Sequence, residues 1–254
     1  LPIFTIETVH NAVLSFVSNG GSVVERVELP VGTAVDLSAY VTEREGYDFT
    51  GWYLDAALTQ PITSLTLEAD TTVYAGWRIR NPFVDVAEKD YFYDAVLWGV
   101  ENGVVKGMDE THFEPETVCT RAQALTFLWR ANGMPQPKTT TNPFVDVDAS
   151  AYYYDAVLWG VENGIVKGMD ETHFEPDTAC SRAHALTFLW RAKGMPQASG
   201  TTFADVPANA YYAQAVAWGV ENGIVKGMDE THFEPDTLCQ RAHAVTFLWR
   251  AYAN

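Results

Sequence analysis

Apolar and polar residues alternate along the first part of the chain, a pattern that is typical of β-strands. The alternation covers residues 13–17 and 23–29, and Asn19, Gly20 and Gly21 lie between the two segments. Alternating segments that flank an Asn-Gly turn predict a β-hairpin. Two further strands are predicted at residues 48–54 and 72–77. Residues 1–80 are therefore predicted to form a small β-rich domain of about one sheet.

From residue 81 onward the sequence is one unit written three times. The segment GVENGVVKGMDETHFEP at 99–115 recurs at 160–176 and 219–235 with only Val104 changed, to Ile. Each unit opens with NPFVDV or TTFADV and closes with RAxAxTFLWRA. A fixed period near 60 residues indicates a repeated supersecondary unit. The predicted units are 81–141, 142–200 and 201–254.

Two helices are predicted in each unit. In the first unit, apolar residues recur at helical spacing over residues 91–102 and again over 121–132. Gly103 and Gly133 follow as terminators, and residues 104–119 form a connecting loop. One helix–loop–helix is too small to fold well alone, so three units are expected to share a core. The predicted fold class is α+β by separate domains, with the repeats all-α.

Charge narrows the functions that the chain can have. The 254 residues include 33 acidic and 16 basic side chains, which gives a net charge of −17. This balance argues against nucleic acid as a partner, because phosphate binding needs a basic surface. Membrane insertion is not expected either, because no run of eighteen apolar residues occurs. The chain starts at Leu1, which is expected for a mature product or an excised piece of a longer protein.

The three cysteines occupy equivalent positions of the repeat. Cys119, Cys180 and Cys239 are an odd number and lie about 60 residues apart, so they cannot all pair within the chain. We expect them to act as small buried apolar residues.

The residues that begin the second helix of each unit contain an electrostatic anomaly. Thr120 and Gln123 fit a capping box, and Ser181 and Gln240 take the place of Thr120 in the other units. The next residue is always arginine, although a cation at a helix N-terminus is unfavourable by about 0.3–1 kcal/mol. One interpretation is a site for a carboxylate or phosphate, formed by the guanidinium and free backbone N–H groups. The other is that Arg121 pairs with Asp85 or Glu116 and staples the loop, and the sequence leaves both open.

These motifs resemble the S-layer homology domain over residues 81–251. The similar features are FVDV, the helix with AVxWGVENGxVKG, the FEP loop, and a Thr-Arg-Ala-Glu-like motif that stands as TRAQ, SRAH and QRAH. The resemblance implies a pseudo-trimeric spindle whose inter-repeat grooves bind secondary cell-wall polysaccharide, often with ketal-linked pyruvate. It implies noncovalent anchoring of a secreted bacterial surface protein, with no reaction, cofactor or metal. The candidate ligand-binding residues are Arg121, Arg182, Arg241, Thr120, Ser181, Gly107, Gly168 and Gly227.

The three glycines have two possible roles. They would let the loop backbone approach a sugar closely, or they would supply a turn that needs a positive φ.

The N-terminal region resembles a second family, the bacterial surface β-repeat of the Listeria-Bacteroides type that occurs in internalin B. Gly46-Tyr47 and Gly51-Trp52-Tyr53 carry the resemblance. It implies a β-grasp-like module that serves as a stalk or spacer.

Other clusters of polar residues suggest weaker alternatives. Cys180 with His184, and Cys239 with His243, have a spacing that could bind zinc in a hydrolase, but the first unit has Gln123 instead. His112 with Asp109 could form an acid–base pair, although loop capping is the favoured role. The second candidate function is protein–protein assembly or adhesion within a surface array, with other surface proteins as partners and no glycan bound.

Overall fold

The computed structural model describes residues 10–200 and 203–253. Contacts within the chain divide it into two units, Leu1–Asn81 and Pro82–Asn254. The described residues leave out 1–9, 201–202 and 254. The third repeat, as predicted from the sequence, begins with Thr201 and Thr202. The domain boundaries proposed from the sequence stay predictions.

The first unit is built from two β-sheets. Its strands are β1 (Asn11–Val17), β2 (Val27–Pro30), β3 (Thr33–Asp36), β4 (Tyr47–Tyr53), β5 (Pro61–Ile62), β6 (Ser64–Leu67) and β7 (Thr71–Ile79). Five strands form one sheet in the order β2-β1-β7-β4-β5, in which β1 and β7 run parallel. β3 and β6 pair as a second sheet, and a short 3-10 helix spans Leu37–Ala39. Leu14, Trp52 and Val73 lie at the centre of this unit's core.

The predicted hairpin is confirmed, but its second strand is shorter than expected. β1 and β2 pair antiparallel, with Leu14 opposite Val27. Residues 23–26 are outside the strand because the chain before them is bonded elsewhere: the Ser22 N–H donates to the Glu43 carbonyl at 2.8 Å. The second sheet was not predicted, because its two four-residue strands are too short to give a clear alternation.

The second unit contains six helices, two for each repeat. They are α1 (Tyr93–Glu101), α2 (Arg121–Ala131), α3 (Tyr154–Glu162), α4 (Arg182–Ala192), α5 (Ala213–Glu221) and α6 (Arg241–Tyr252). The predicted helices are confirmed, although α1 begins two residues later than expected because Tyr91 and Phe92 belong to the preceding turn. Gly103 and Gly133 follow the helix ends with φ of 67° and 80°, as expected for terminators.

Helices pack mainly between repeats. α2 contacts α3, α4 contacts α5, and α6 contacts α1, so the contacts return from the third repeat to the first. The second helices α2, α4 and α6 also contact one another. All three repeats contribute to one continuous apolar core, which includes the fully buried Phe113, Phe174 and Phe233. The expectation that the units share a core is therefore confirmed.

A glycine in the first helix of each repeat sets how closely neighbouring repeats approach. A Cβ at Gly160 of α3 would lie 2.9 Å from Val166 Cγ2 and 3.3 Å from the Leu125 methyl groups of α2. We expect Gly160→Ala to lower the free energy of unfolding. Overpacking costs about 1–3 kcal/mol, and alanine gains only about 1 kcal/mol in helix propensity.

Thermal and denaturant unfolding followed by circular dichroism measure this effect. Glu101→Ala, at an exposed position of α1, is the control and should change stability little. Stability of the Gly160 variant equal to or above that of the parent would contradict this account of the packing.

Candidate ligand-binding grooves

The three cysteines lie at a ring of backbone hydrogen bonds that joins the repeats. The N–H of Cys119 donates to the carbonyl of Cys239 at 2.9 Å, Cys180 donates to Cys119 at 2.8 Å, and Cys239 donates to Cys180 at 2.7 Å. All three thiols are free and fully buried, as predicted. Burial raises the pKa of Cys119 and Cys180 to about 12, so these thiols are neutral core groups.

The N-terminus of each second helix is covered by the FEP loop of the next repeat. In α2 the N–H of Arg121 donates to the Thr178 carbonyl at 2.9 Å, and that of Ala122 donates to the Pro176 carbonyl at 3.0 Å. The same pairs occur between α4 and the third repeat, and between α6 and the first. The expectation of free N–H donors beside the guanidinium was wrong, because neighbouring carbonyls already satisfy them.

The motif arginines reach the same loop with their side chains. Arg121 donates from Nε to the Phe174 carbonyl at 3.0 Å and from Nη2 to the Lys167 carbonyl at 3.1 Å. Its guanidinium carbon also lies 4.8 Å from the centroid of the Phe174 ring. The equivalent bonds join Arg182 to Phe233 and Lys226, and Arg241 to Phe113 and Lys106. Only 2–3% of each arginine is exposed.

Neither carboxylate proposed as a staple for Arg121 has that role. Asp85 instead accepts from the N–H groups of Phe113 and Glu114 at 2.9 and 2.7 Å, and so fixes the loop of its own repeat. Asp146 and Asp205 do the same in the other repeats. The Asp of the FVDV motif thus holds the loop whose carbonyls receive an arginine from the neighbouring repeat.

The three loop glycines are required by close packing. Gly107, Gly168 and Gly227 do not have the positive φ that was offered as one explanation. A Cβ at Gly168 would lie 2.6 Å from both Phe144 Cε1 and the His173 carbonyl oxygen, and the other two positions are similarly tight. These residues therefore let the loop fold back on itself.

The hydroxyl groups of Thr120 and Ser181 act as helix caps. Thr120 Oγ1 accepts from the Gln123 N–H at 3.2 Å, and the Gln123 side chain accepts from the Thr120 N–H, which confirms the predicted capping box. Ser181 Oγ accepts from the His184 N–H at 3.2 Å.

A cavity of about 120 Å³ lies beside Arg121 and is lined by all three repeats. Arg121 comes from the first repeat, Lys167, Gly168, His184, Thr187 and Arg191 come from the second, and Tyr211 comes from the third. We call Arg121, Lys167, His184, Arg191 and Tyr211 the Arg121 cluster. The repeat places Arg182, Lys226, His243, Arg250 and Tyr91 in an Arg182 cluster, and Arg241, Lys106, Gln123, Arg130 and Tyr152 in an Arg241 cluster. Together the three clusters hold nine of the chain's 16 basic residues, so positive charge is concentrated at the junctions of an acidic protein.

The histidine of the Arg121 cluster is neutral and stacked. Its ring lies 5.8 Å from that of Tyr211 with 29° between the planes. Burial, and then the nearby charge of Arg121, lower the pKa of His184 below its usual value. Sequence reasoning considered His184 only as a zinc ligand and did not select Arg191 or Tyr211, because the cavity is lined by residues of three repeats that no local pattern brings together.

The carboxylates of the DETHFEP loops accept hydrogen bonds from residues of the same loop. Asp109 accepts from the N–H groups of Thr111 and His112 at 2.7 Å, and these bonds, the one from Thr111 first, lower its pKa to about 2. The His112 ring also contacts the same carboxylate at 3.1 Å. Among residues 10–200 and 203–253, no three His, Cys, Asp or Glu side chains are grouped so that they could hold a metal ion.

The family of the repeats follows from comparison with known proteins. The S-layer homology domain matches residues 82–125, 143–186 and 202–245, which is more than half of the chain. The chain therefore belongs to the S-layer homology family, whose domains bind cell-wall polymers. Residues 13–76 match the Listeria-Bacteroides repeat domain.

Several relatives are surface proteins. The surface-layer 125 kDa protein of Lysinibacillus sphaericus is 31% identical over 163 residues, which cover 62% of this chain and 14% of that protein. The S-layer protein sap of Bacillus anthracis is 29% identical over 175 residues, or 65% of this chain and 20% of that protein. An amylopullulanase of Thermoanaerobacterium thermosulfurigenes is 25% identical over 183 residues, which cover 69% of this chain and 10% of the enzyme. The chain thus spans a fifth or less of the length of these relatives.

The family and these relatives identify a cell-surface protein and support anchoring to the cell wall. None of the helices within the described part of the chain is long and apolar enough to cross a membrane.

The contacts of Arg121 predict that a substitution of this residue lowers the stability of the protein even when no ligand is bound. Arg121→Lys keeps the charge but removes the planar fork that reaches two carbonyls, so at least one carbonyl loses its donor. We expect the free energy of unfolding to fall by about 1–3 kcal/mol. Denaturant unfolding of the ligand-free protein measures it, with Lys89→Arg at an exposed position as the control. An unchanged midpoint for Arg121→Lys would show that these bonds do not hold the repeats together.

The buried histidines predict a pH dependence of stability. Burial lowers the pKa of His184 and His243 in the folded protein, so below pH about 6.5 the unfolded chain binds more protons than the folded chain. The free energy of unfolding should therefore fall as the pH decreases from about 6.5 toward the folded pKa values. His184→Gln with His243→Gln, which copies Gln123 of the first repeat, should flatten this dependence. An equally steep dependence in the double variant would contradict the assignment.

Proposed function

We propose that the repeats bind an acidic saccharide of the secondary cell-wall polysaccharide and so attach a surface protein to the wall. The observation that carries this proposal is the Arg121 cluster, in which three basic side chains and two aromatic rings surround one cavity. Guanidinium groups suit carboxylates, and the faces of Tyr and His suit the apolar face of a sugar ring. A net charge of −17 gives no long-range attraction to an anionic polymer, so binding depends on contacts inside the groove.

The finer features proposed from the sequence fit this function. A ketal-linked pyruvate supplies the carboxylate, and the repeats form a pseudo-trimeric spindle with one groove at each junction. Arg121, Arg182 and Arg241 form the floor of the grooves while they hold the adjacent loop. Thr120, Ser181, Gly107, Gly168 and Gly227 shape the groove walls. The chain catalyses no reaction and needs no cofactor, and the N-terminal unit is a β-grasp-like spacer.

Binding to purified cell walls tests the proposal. The full chain should cosediment with walls that retain their polysaccharide and stay in solution with walls from which it has been extracted. Tyr91, Tyr152 and Tyr211 are each more than half exposed, so replacing all three by alanine should leave the fold intact. We expect this triple variant to bind walls about tenfold or more weakly, because aromatic anchors carry much of the energy of such sites.

The chain offers a matched control for the tyrosine variant. Val84 and Val145 are both 75% exposed, and the third repeat already has Ala204 at this position. Val84→Ala with Val145→Ala should therefore bind walls as the parent does. Equal binding to extracted walls would reject the glycan and favour assembly with other surface proteins. Full binding by the folded tyrosine variant would reject the proposed groove.

A further inference from the structure

The linker between the first and second repeats is held by one indole and one carboxylate. The Trp129 indole N–H, on α2, donates to the Pro135 carbonyl at 2.9 Å. The carboxylate of Glu162, the last residue of α3, accepts from the N–H groups of Lys138 and Thr139 at 2.7 and 3.0 Å. Only main-chain groups of the linker take part in these bonds, so the two side chains recognise a backbone path rather than particular linker side chains.

The linker between the second and third repeats is held in the same way. The Trp190 indole N–H, on α4, donates to the Pro196 carbonyl at 2.9 Å. The carboxylate of Glu221, the last residue of α5, accepts from the Ser199 N–H at 2.7 Å. In both linkers the first N–H that reaches the carboxylate lies three residues after the proline. Two of the three junctions thus contain the same site for a proline-containing segment.

The third junction, between α6 and α1, has the same groups without a linker bonded to them. Trp249 and Glu101 occupy the positions of the indole and the carboxylate. Within residues 10–200 and 203–253, neither the Trp249 indole N–H nor the Glu101 carboxylate has a hydrogen-bond partner. Trp98, one turn before Glu101, is only partly buried, whereas its counterparts Trp159 and Trp218 are 7% exposed. A donor, an acceptor and an aromatic ring that are engaged or covered in two junctions are therefore accessible in the third.

The chain that leaves α6 does not enter this site by the path of the linkers. Each linker leaves its helix through a glycine with a positive φ, which is 80° at Gly133 and 84° at Gly194. The equivalent residue after α6 is Ala253, with a φ of −85°. Residues with a Cβ rarely adopt a positive φ, so the turn that leads each linker to its indole is absent at Ala253. A separate polypeptide is therefore the occupant that fits this site.

We propose that the junction of α6 with α1 is a docking site for an extended, proline-containing segment of another cell-surface protein. The Trp249 indole donates to the carbonyl of the proline, and the Glu101 carboxylate accepts from backbone N–H groups that begin three residues later. The Trp98 ring packs against the segment, as aromatic rings do in grooves that bind proline-rich peptides. We call Trp98, Glu101 and Trp249 the peptide site.

The peptide site lies at the C-terminal ends of the two helices that form it. The rings of Tyr91 and His243 are 6.4 Å apart near the N-terminal ends of α1 and α6. Glu101 is the last residue of α1, and Trp249 lies in the last turn of α6. A peptide held by these groups needs no contact with the motif arginines, so this inference does not depend on saccharide binding.

A peptide copied from the first linker tests the proposal. The probe is the acetylated and amidated peptide Gly-Met-Pro-Gln-Pro-Lys-Thr-Thr, the sequence of residues 133–140, titrated into the ¹⁵N-labelled full chain. We expect one site per chain and a saturable shift of the Trp249 indole N–H signal. The indole signals of Trp129 and Trp190, which are bonded to the chain's own linkers, should not move. A probe that is N-methylated at its Lys and first Thr has no N–H group for Glu101, and it should bind about tenfold or more weakly.

Two pairs of variants separate the peptide site from the sites that hold the linkers. Affinity for the probe should fall about tenfold in Glu101→Ala, and about five- to tenfold in Trp249→Phe, which keeps a ring but loses the N–H. The matched controls Glu162→Ala and Trp190→Phe should bind the probe as the parent does. Glu162→Ala should instead lower the denaturant midpoint, because this carboxylate is in use within the protein, whereas Glu101→Ala should not.

Three results of the titration would overturn the inference. They are an unmoved Trp249 indole signal, full affinity in folded Glu101→Ala, and equal affinity for the N-methylated probe. Analytical ultracentrifugation of the protein alone tests the other occupant, a second copy of this chain. A parent that dimerises and a Glu101→Ala variant that stays monomeric would assign the site to that second copy and reject a separate partner.

Wall cosedimentation keeps this inference apart from the proposed function. Glu101→Ala should cosediment with intact walls as the parent does. Loss of cosedimentation in this folded variant would place Glu101 in wall binding and would also overturn the inference.

Discussion

The repeats are held together by the contact between the FEP loop of one repeat and the first turn of the second helix of another. Two backbone N–H groups and two side-chain N–H groups of that turn converge on carbonyls of a single loop, as Arg121 and Ala122 do on residues 167–178. The loop is itself fixed by the FVDV carboxylate, which binds the N–H of the same phenylalanine whose carbonyl receives the arginine. Each repeat therefore covers the helix N-terminus of one neighbour with its loop, and its own helix N-terminus is covered by the loop of the other.

This contact explains why arginine is placed where the helix dipole disfavours a cation. The positive end of the helix and the guanidinium face several carbonyl oxygens at once, and a row of carbonyl dipoles can offset both. The cost of burying the guanidinium is reduced by two charge-assisted hydrogen bonds and by the faces of two phenylalanine rings. The arginine at the helix N-terminus is therefore explained first by its contacts with the adjacent loop. The cavity lies beside it because those contacts fix the position of the arginine.

Features that depend on residues close together in the sequence could be predicted, and features that depend on residues far apart in the sequence could not. Helix ends, the caps at Thr120 and Ser181 and the terminating glycines depend on neighbouring residues, and they were predicted closely. The partners of Arg121 lie 46 and 53 residues away in another repeat, and no local pattern identifies them. The place of Tyr211 beside His184 was not predicted, because it follows from the packing of two repeats. The short strands β3 and β6 were not predicted for a related reason. Each is stabilised by pairing with the other, and the alternation of apolar and polar residues within four positions does not reveal that pairing.

Near-identity of the repeats makes their few differences informative. The FVDV carboxylate, the FEP loop and the arginine are the same in every repeat, because each of the three junctions needs all of them. The residue three positions after the helix cap is not part of that contact, and it is Gln123, His184 or His243. Because the cyclic contact does not constrain this position, it can vary without loss of the fold. Its side chain borders the cavity beside Arg121, so changes there alter the groove without altering the junction. A protein built in this way can keep one architecture while the side chain at this position changes between Gln and His.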